Sequence, residues 1–511
     1  MGQPEILQSP EATTAVRVAK SPIDGVPDEL LIAIAVFLRV VSKPKSQWMV
    51  ATFVSRRWRT VLLSYAPFWK NIDTRNLERT TAYLHRSKMA PLSLTIRSPR
   101  CPNAGYHELV SLLSPHVARI QEMRFDSTPE HIQTFFRMLD LKYTMLHSLS
   151  LQGIEGQQLV HVSPNAPNLR ALEVYGFTTD WSSSIFKDLE TLRLDMAFDV
   201  RPSLDQLLFI LKACPRLEVL LLGEPDFTTA RASMDVQLQR LRRLEVTADS
   251  QQGVRLMEHL TAPSCQSLRL DFILNDDDRS DENICILPSD WCTRFPVARW
   301  VATLHITSDR DEYGNYKHDV LLFDHTGSYN RTVPFSMSLF TMSRAPCPTL
   351  LSAITSQLRP YPITSLDLLF TTKYISRTSW QNSLRNLPSL IRLKITAHPC
   401  EFNSSLDRLF IALGPDGDAL VCPKLKVLYI SRLKYASSHP LDILYISLGA
   451  RMIQGYKLST LIIESPVWRR RDHPETIVNW PEFGCVVKNY IHSPSCFALR
   501  RSPSLNSTAP P

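Results

Sequence analysis

The chain has 511 residues, of which 15 are glycine and 36 are proline, and its formal net charge is +8. This length is too great for one ordinary core and indicates several domains or one long repeat array. The low glycine content argues against collagen-like chains and glycine-loop nucleotide sites, and the raised proline content predicts many short elements with defined ends.

Residues 1–20 are polar and aperiodic, and we predict that they are disordered. They lack the features of a secretory signal, and no apolar run in the chain approaches the roughly 20 residues that cross a bilayer. The ten cysteines contain no CxxC pair, which argues against a structural zinc site. We therefore expect a cytoplasmic or nuclear protein with reduced thiols, no cofactor and no membrane partner.

A three-helix region is predicted over residues 21–75. The Pro-Asp-Glu sequence at 27–29 is a favourable helix start, because proline suits the first turn and carboxylates suit the positive end of the helix dipole. Apolar residues then recur at helical spacing on one face: Leu30, Ile34, Phe37 and Leu38. Two further short helices are predicted at about 47–55 and 56–65.

The positive charge is concentrated in the same region. From Arg39 to Lys70 there are seven basic residues and no acidic one, which leaves about +1 for the rest of the chain. A nucleic-acid-binding protein usually spreads its basic residues along a groove or stripe. We therefore expect no nucleic-acid partner, and we expect any electrostatic partner to bind near this N-terminal region.

From about residue 90 the chain repeats an LxxLxL pattern, in which a turn and often a helix precede a short strand. Most copies follow one another at spacings at or slightly above the 20–29 residues of leucine-rich repeats. One unit cannot bury its apolar face alone, so stacked units would share a continuous core. The strands are predicted to begin near residues 92, 120, 146, 169, 189, 217, 241, 265, 301, 363, 390, 425 and 458.

The 62-residue gap between the copies at 301 and 363 interrupts this spacing. Residues 320–323 and 333–339 have strand character and are separated by a turn, which predicts an inserted hairpin at about 310–345. The predicted fold class is therefore α/β: a helical region, a curved parallel sheet with outer helices over 76–490, and a flexible tail over 491–511.

The segment from residue 23 to residue 72 resembles an F-box. The motifs that carry this resemblance are VPDELLIAIAVFL, VSRRWRTVL and APFWKNI. The following stretch, with Arg86-Ser87 and Pro91-Leu92, is similar to the junction that joins an F-box to repeats in many fungal proteins. The whole chain therefore resembles the fungal F-box/leucine-rich-repeat family.

This resemblance implies the substrate-recognition subunit of a Skp–cullin–F-box ubiquitin ligase, which is not itself an enzyme. The F-box would bind the Skp adaptor and through it a cullin, and the repeats would bind a protein substrate. The alternative is a leucine-rich-repeat interaction scaffold outside any ligase, in which the F-box is only a structural cap. By family match the adaptor-binding candidates, some of which must instead form the F-box core, are Val26, Pro27, Leu30, Leu31, Ile34, Val54 and Trp58.

In the LxxLxL strand the leucines point inward, so the residue between the last two leucines is available to a substrate. These positions carry mixed polar side chains, which suit a protein surface better than a lipid pocket. The substrate-binding candidates are Glu173, Arg193, Glu245, Arg269, His305, Lys394 and Tyr429.

Catalytic motifs such as GxSxG, HExxH, the P-loop and GxGxxG do not occur in the sequence. We therefore predict no catalytic, cofactor-binding or metal-binding residues. The acidic run at 276–278 and the basic run at 469–471 are interpreted as solvated loops.

Overall fold

The computed structural model describes residues 25–41, 47–97, 104–153, 159–160, 162, 164–176, 178–195, 201–225, 227, 234–274, 285–298, 301–310, 316–324, 334–341, 350–370, 375–397, 406–415, 420–431, 439–466 and 487–495. The predictions for residues 1–20, for the charged runs at 276–278 and 469–471, and for 496–511 lie outside these ranges. The chain divides into two compact units, residues 1–123 and 124–511.

The first unit begins with helices at the predicted positions. Helix α1 starts directly after Pro27, whose carbonyl accepts hydrogen bonds from the amides of Leu30 and Leu31. Ser55 caps α2, because its hydroxyl accepts a hydrogen bond from the Trp58 amide. The helices and strands of this unit are α1 (Asp28–Val41), a 3₁₀ helix (Gln47–Phe53), α2 (Arg56–Ser64), a 3₁₀ helix (Ala66–Trp69), β1 (Asn71–Asp73), α3 (Leu77–Arg86), β2 (Leu92–Arg97), α4 (Ala104–Leu113) and a 3₁₀ helix (Ser114–Arg119).

Trp69 is the largest fully buried side chain of this unit. Its indole nitrogen donates to the carbonyl of Leu62 at 3.1 Å, and its ring stacks edge-on with Tyr83 and lies under the guanidinium of Arg86. Strands β1 and β2 pair in parallel, with Ile72 opposite Leu94. The core therefore joins the helices at the start of this unit to its first parallel strands.

Strand β3 (Ile120–Ser127) crosses the boundary between the units, and the second unit continues as short strands with interspersed helices. Up to the predicted insertion its elements are α5 (Pro129–Met138), β4 (Ser148–Gly153), β5 (Leu159–Val160), β6 (Ala171–Tyr175), β7 (Thr178–Thr179), β8 (Thr191–Asp195), α6 (Leu204–Lys212), β9 (Val219–Gly223), β10 (Val236–Gln237), β11 (Arg243–Asp249), α7 (Ser250–Glu258), β12 (Leu260–Thr261), β13 (Ser267–Leu274) and α8 (Trp291–Arg294). From the insertion onward they are β14 (Val301–Arg310), β15 (Tyr316–Asp324), β16 (Phe335–Thr341), α9 (Leu350–Gln357), β17 (Ser365–Phe370), α10 (Arg377–Arg385), β18 (Arg392–Ala397), α11 (Asp407–Leu413), β19 (Val427–Ser431), α12 (His439–Ile453), β20 (Leu458–Pro466) and β21 (Val487–Ser495).

The second unit is a mixed α/β structure with a large, mostly parallel sheet. Equivalent leucines align from strand to strand, so that Leu172, Leu192 and Leu220 are paired neighbours and all are fully buried. In order across the sheet the strands are β4, β6, β8, β9, β11, β13, β16, β15, β14, β17, β18, β19, β20 and β21. The predicted α/β class is thus confirmed at the level of class and sheet.

Helices pack against the leucine face of this sheet. Gly253 of α7 lies so close to the Phe272 ring of β13 that a Cβ would come within 2.2 Å of it, so this contact requires glycine. Consecutive helices α9, α10, α11 and α12 also contact one another. The leucine face is therefore covered, and the side chains between the leucines lie on the opposite face.

The inserted segment changes the order of the strands. Strand β14 does not pair with β13, although its sequence follows next in the repeat series. Strands β14, β15 and β16 form an antiparallel meander, and β16 pairs in parallel with β13 while β14 pairs in parallel with β17. The insertion is therefore built into the sheet, because antiparallel neighbours need only short connections. At the other end, β21 reaches Ser495, which extends ordered structure five residues into the segment predicted to be a flexible tail.

Candidate functional site

The exposed apolar residues of α1 form the first candidate surface. Helix α1 buries Leu31 and Ala35 against its own unit, whereas Leu30 is 54% exposed and Phe37 64% exposed. At 100° per residue, positions 30, 34, 37 and 41 lie within about 60° of one another around the helix. We call this group the α1 stripe: Leu30, Ile34, Phe37 and Val41.

The structure separates the predicted adaptor-binding residues into surface and core. Pro27 and Val54 are exposed, as are Leu30 and Ile34, and Val26 is half-buried. Leu31 is 0% exposed and Trp58 is 5% exposed, so these two side chains are among the candidates that form the core of the unit. They form the core because they lie on the sides of α1 and α2 that face the rest of the unit.

Further exposed apolar residues follow α1 in the same unit. Val50, Phe53 and Val54 are each more than half exposed, and the guanidinium of Arg59 lies 5.9 Å from the centroid of the Phe53 ring. Val50 and Phe53 were not predicted as site residues. They lie three residues apart and therefore share one side of the 3₁₀ helix at 47–53, but the sequence does not show which side packs against the rest of the unit.

Part of the basic cluster supports the fold of this unit instead of facing outward. Arg57 forms an ion pair with Asp28 and donates to the carbonyl of Val26, which ties the start of α2 to the start of α1. Arg39 donates to the carbonyl of Phe68 at 2.9 Å. Arg56, Arg59 and Lys70 remain exposed and provide positive charge in the same unit as the α1 stripe.

The second candidate surface is a line of side chains that crosses the sheet of the second unit. The pairing registers place all seven predicted substrate-binding residues in this one line. We call it the transverse row: Ser150, Glu173, Arg193, Leu221, Glu245, Arg269, Ser336, Leu321, His305, Asp367, Lys394, Tyr429 and Ile462. Arg193 and Arg269 are exposed, and the other members are half-buried.

Several members of the transverse row are absent from the sequence prediction. Leu221 and Asp367 occupy the same position between two leucines as the predicted residues, so the LxL pattern could have identified them. Leu321 and Ser336 could not be found in this way, because the meander brings them into the row through antiparallel pairing.

The later part of the transverse row is a connected polar network. The ammonium of Lys394 lies 3.2 Å from a carboxylate oxygen of Asp367 and 5.6 Å from the centroid of the Tyr429 ring. Partial burial, together with a hydrogen bond to Glu464, raises the pKa of Tyr429 to about 12. The Tyr429 hydroxyl is therefore protonated at neutral pH.

His305 borders this network. Burial lowers its pKa and Lys394 lowers it further, against the opposing attraction of Asp367. The imidazole is therefore neutral at pH 7. Its Nδ1 is buried and has no hydrogen-bond partner among the described residues.

In the earlier part of the row, charged residues also interact with their neighbours. Arg269 pairs with Asp271 at 3.0 Å, and Arg243 donates to Glu245 at 2.8 Å. The carboxylate of Glu173 accepts a hydrogen bond from Ser150 at 3.1 Å. The row therefore presents a polar surface of alternating charges with Leu221 as an apolar interruption.

Comparison with known proteins adds no assignment. No protein-family model matches the chain, and no curated protein matches it. Among the described residues, no group of three or more His, Cys, Asp and Glu side chains could hold a metal ion. No helix in the described ranges combines the length and apolar character that crossing a membrane requires.

Proposed function

We propose that this chain is the substrate-recognition subunit of a Skp–cullin–F-box ubiquitin ligase. In this proposal, residues 21–75 are an F-box that binds the Skp adaptor. The strands and helices that follow are leucine-rich-repeat-like units, whose transverse row binds a protein substrate. The chain itself contributes recognition, and the bound ligase contributes the chemistry.

The observation that carries the proposal is the exposure of the α1 stripe. An isolated folded unit gains no stability from exposing four large apolar side chains on one helix side, and a contiguous apolar surface of this kind is typical of a protein-binding site. Exposed Val50, Phe53 and Val54 add to the apolar surface of the unit, and exposed Arg56 and Arg59 add positive charge. This composition fits a partner with an apolar groove and an acidic margin.

The transverse row supports the second half of the proposal. It is continuous over strands β4 to β20. Its side chains are partly exposed and mostly polar, with Leu221, Leu321 and Ile462 as apolar members, and such a mixture is typical of surfaces that bind proteins. Parallel strands at about 4.8 Å spacing give this row a length sufficient for an extended segment of a substrate.

The test is binding of the purified Skp adaptor to the full chain and to a Leu30→Asp/Ile34→Asp double variant. Each aspartate would place a charge in an apolar contact, which costs several kcal/mol, and every 1.4 kcal/mol weakens binding tenfold. We expect adaptor affinity to fall more than a hundredfold in a calorimetric or interferometric titration.

The matched control is the Val36→Asp/Val40→Asp double variant. It has the same spacing and charge on the same helix, but these exposed valines lie about 80° to 160° around the helix from Leu30 and Ile34. It should bind the adaptor like the wild type. Two results would favour the scaffold alternative over the receptor proposal. One is that the Leu30→Asp/Ile34→Asp variant binds the adaptor as tightly as the unmodified chain, and the other is that the unmodified chain does not bind the adaptor.

A further inference from the structure

We propose that Arg193 is the anchor of the substrate surface, and that it binds a single carboxylate of an extended substrate segment, next to an apolar side chain that contacts Leu221. The proposal rests on the proposed role of the transverse row in substrate binding. It adds the chemical class of the substrate: an acidic-apolar peptide segment.

The first observation is the difference between the cations of the transverse row. Arg269 has a carboxylate partner in Asp271, and Lys394 has one in Asp367. Arg193 forms no ion pair with any carboxylate of the described residues. An exposed guanidinium without an acceptor has five N–H donors available to a ligand, and its planar shape matches a carboxylate.

The second observation is that Arg193 is already held in place. Its guanidinium carbon lies 4.9 Å from the centroid of the Tyr175 ring on the neighbouring strand β6. Such stacking restricts the side chain while leaving the N–H edges of the guanidinium free. Binding a carboxylate then costs less side-chain entropy than binding by a mobile arginine would.

A second arginine lies near the same tyrosine. Arg124 donates to the amide oxygen of Gln152, has no carboxylate partner in the described part of the chain, and with Arg193 stabilises the ionised form of Tyr175. Both arginines therefore contribute positive charge around Tyr175.

The carboxylates nearby limit the charge that a ligand can carry. Glu173 aligns with Arg193 across the strands and bonds to Ser150, and Asp195 follows two residues later on the same strand. Both oppose ionisation of Tyr175 and would repel a doubly charged phosphate more than a single carboxylate. One aspartate, one glutamate or a C-terminal carboxylate therefore fits best.

The third observation is the apolar strand beside Arg193. Strand β9 presents Val219, Leu221 and Gly223 on the row side, all half-buried, and Leu221 pairs with Arg193. A Cβ on Gly223 would meet the Asp195 carboxylate at 3.1 Å, so that carboxylate lies directly beside the glycine. An apolar side chain next to the bound carboxylate would cover Leu221.

The experiment uses the full chain to select peptides from a random displayed library. We expect enrichment of Asp or Glu directly adjacent to Leu, Ile, Val, Met or Phe. The selected peptides are then measured by fluorescence anisotropy against the wild type, Arg193→Gln and Arg216→Gln, the last being an exposed arginine outside the transverse row. Arg193→Gln should weaken binding at least tenfold, equal to about 1.4 kcal/mol, and Arg216→Gln should change it less than twofold.

Three outcomes would overturn the proposal: no acidic-apolar enrichment, equal binding by Arg193→Gln, or tighter binding when the acidic residue is replaced by phosphoserine. Arg193 is exposed, and its variants should keep the wild-type circular dichroism, so misfolding can be recognised. The selection needs no adaptor. If the adaptor test fails and the peptide selection succeeds, the peptide site stands without the ligase role. If the adaptor binds and the peptide selection fails, only the proposed role of Arg193 is lost.

Discussion

Two buried arginines stabilise the ends of helices, one in each unit. Arg451 donates from Nη1 to the carbonyls of Leu413 and Val421 and from Nη2 to that of Cys422, at 2.7 to 3.0 Å. Arg119 in the first unit donates in the same way to the carbonyl of Leu84, near the end of α3. The last carbonyls of a helix lack partners within the helix, and a buried guanidinium can satisfy such a carbonyl together with loop carbonyls beside it. Of the three carbonyls that Arg451 contacts, that of Leu413 ends α11, and those of Val421 and Cys422 lie in the following loop.

At this scale we predict a large loss of stability for Arg451→Ala. The change would remove a donor from three carbonyls, of which that of Cys422 keeps the Leu425 amide, and would open a cavity, so we expect a loss of about 3–5 kcal/mol in the free energy of unfolding. Arg451→Lys should have a stability between that of Arg451→Ala and that of the wild type, because one ammonium group cannot reach all three carbonyls. Urea unfolding followed by circular dichroism measures the stability of each variant, and a change at an exposed residue, Lys424→Ala, is the control. A loss below about 0.5 kcal/mol for Arg451→Ala would contradict this role.

At the scale of elements, the strands owe their stability to the alignment of their leucines. Leu220 in β9 and Leu393 in β18 are both fully buried and lie opposite leucines on the adjoining strands. The residues between the leucines stay on the opposite face and make mainly polar contacts. The alternation of side chains along each strand therefore separates residues that stabilise the sheet from residues that are available to bind a partner.

We expect Leu220→Ala and Leu393→Ala each to reduce the free energy of unfolding by roughly 2–5 kcal/mol, because each leaves a cavity in the leucine layer. Glu173→Ala should change it by less than about 0.5 kcal/mol. Lys394→Ala should cost up to about 1 kcal/mol, since it leaves half-buried Asp367 without its cation. Denaturant unfolding of the four variants makes the comparison. Equal losses at leucine and polar positions would refute the assignment of the two faces.

At the scale of the whole molecule, the charge distribution is uneven. Seven basic residues between Arg39 and Lys70 account for nearly all of the net charge of +8. Asp28 pairs with Arg57, and the half-buried Arg39 donates to a carbonyl, so the exposed cations in the described part of this segment are Arg56, Arg59 and Lys70. The field of such cations accelerates association with an acidic partner more than it strengthens the final complex.

Under the proposed function, we therefore predict that the Skp adaptor associates more slowly with an Arg56→Gln/Arg59→Gln/Lys70→Gln variant, by about tenfold at low salt, with a smaller change in dissociation rate. The difference should shrink as salt rises, because the Debye length falls from about 30 Å at 0.01 M to about 10 Å at 0.1 M. Stopped-flow or surface-based kinetics at several salt concentrations provide the measurement. An association rate that is independent of both charge and salt would contradict the prediction.

Local patterns determined much of this protein. The Pro-Asp-Glu start placed α1, and the LxxLxL period identified strands and the residues that alternate between their faces, because a side-chain period of two depends only on neighbouring residues. The same local period puts all seven predicted substrate-binding residues on one face of the sheet, and the pairing registers between strands place them in one line. The resemblance to an F-box also depends on local motifs, and it supports the proposed function together with the exposure of the α1 stripe.

Tertiary structure determined the features that depend on contacts between distant segments of the chain. The repeating apolar residues of α1 predict one apolar face, but only packing shows that Leu31 and Ala35 are buried while Leu30, Ile34 and Phe37 are exposed. The position of β15 and β16 between β13 and β14 depends on pairing between residues distant in the chain, which no local period encodes. A side chain's partners are set by its neighbours in space, so two further features arise only when separate segments meet. They are the burial of Arg451 and the lack of a carboxylate partner for Arg193 among the described residues.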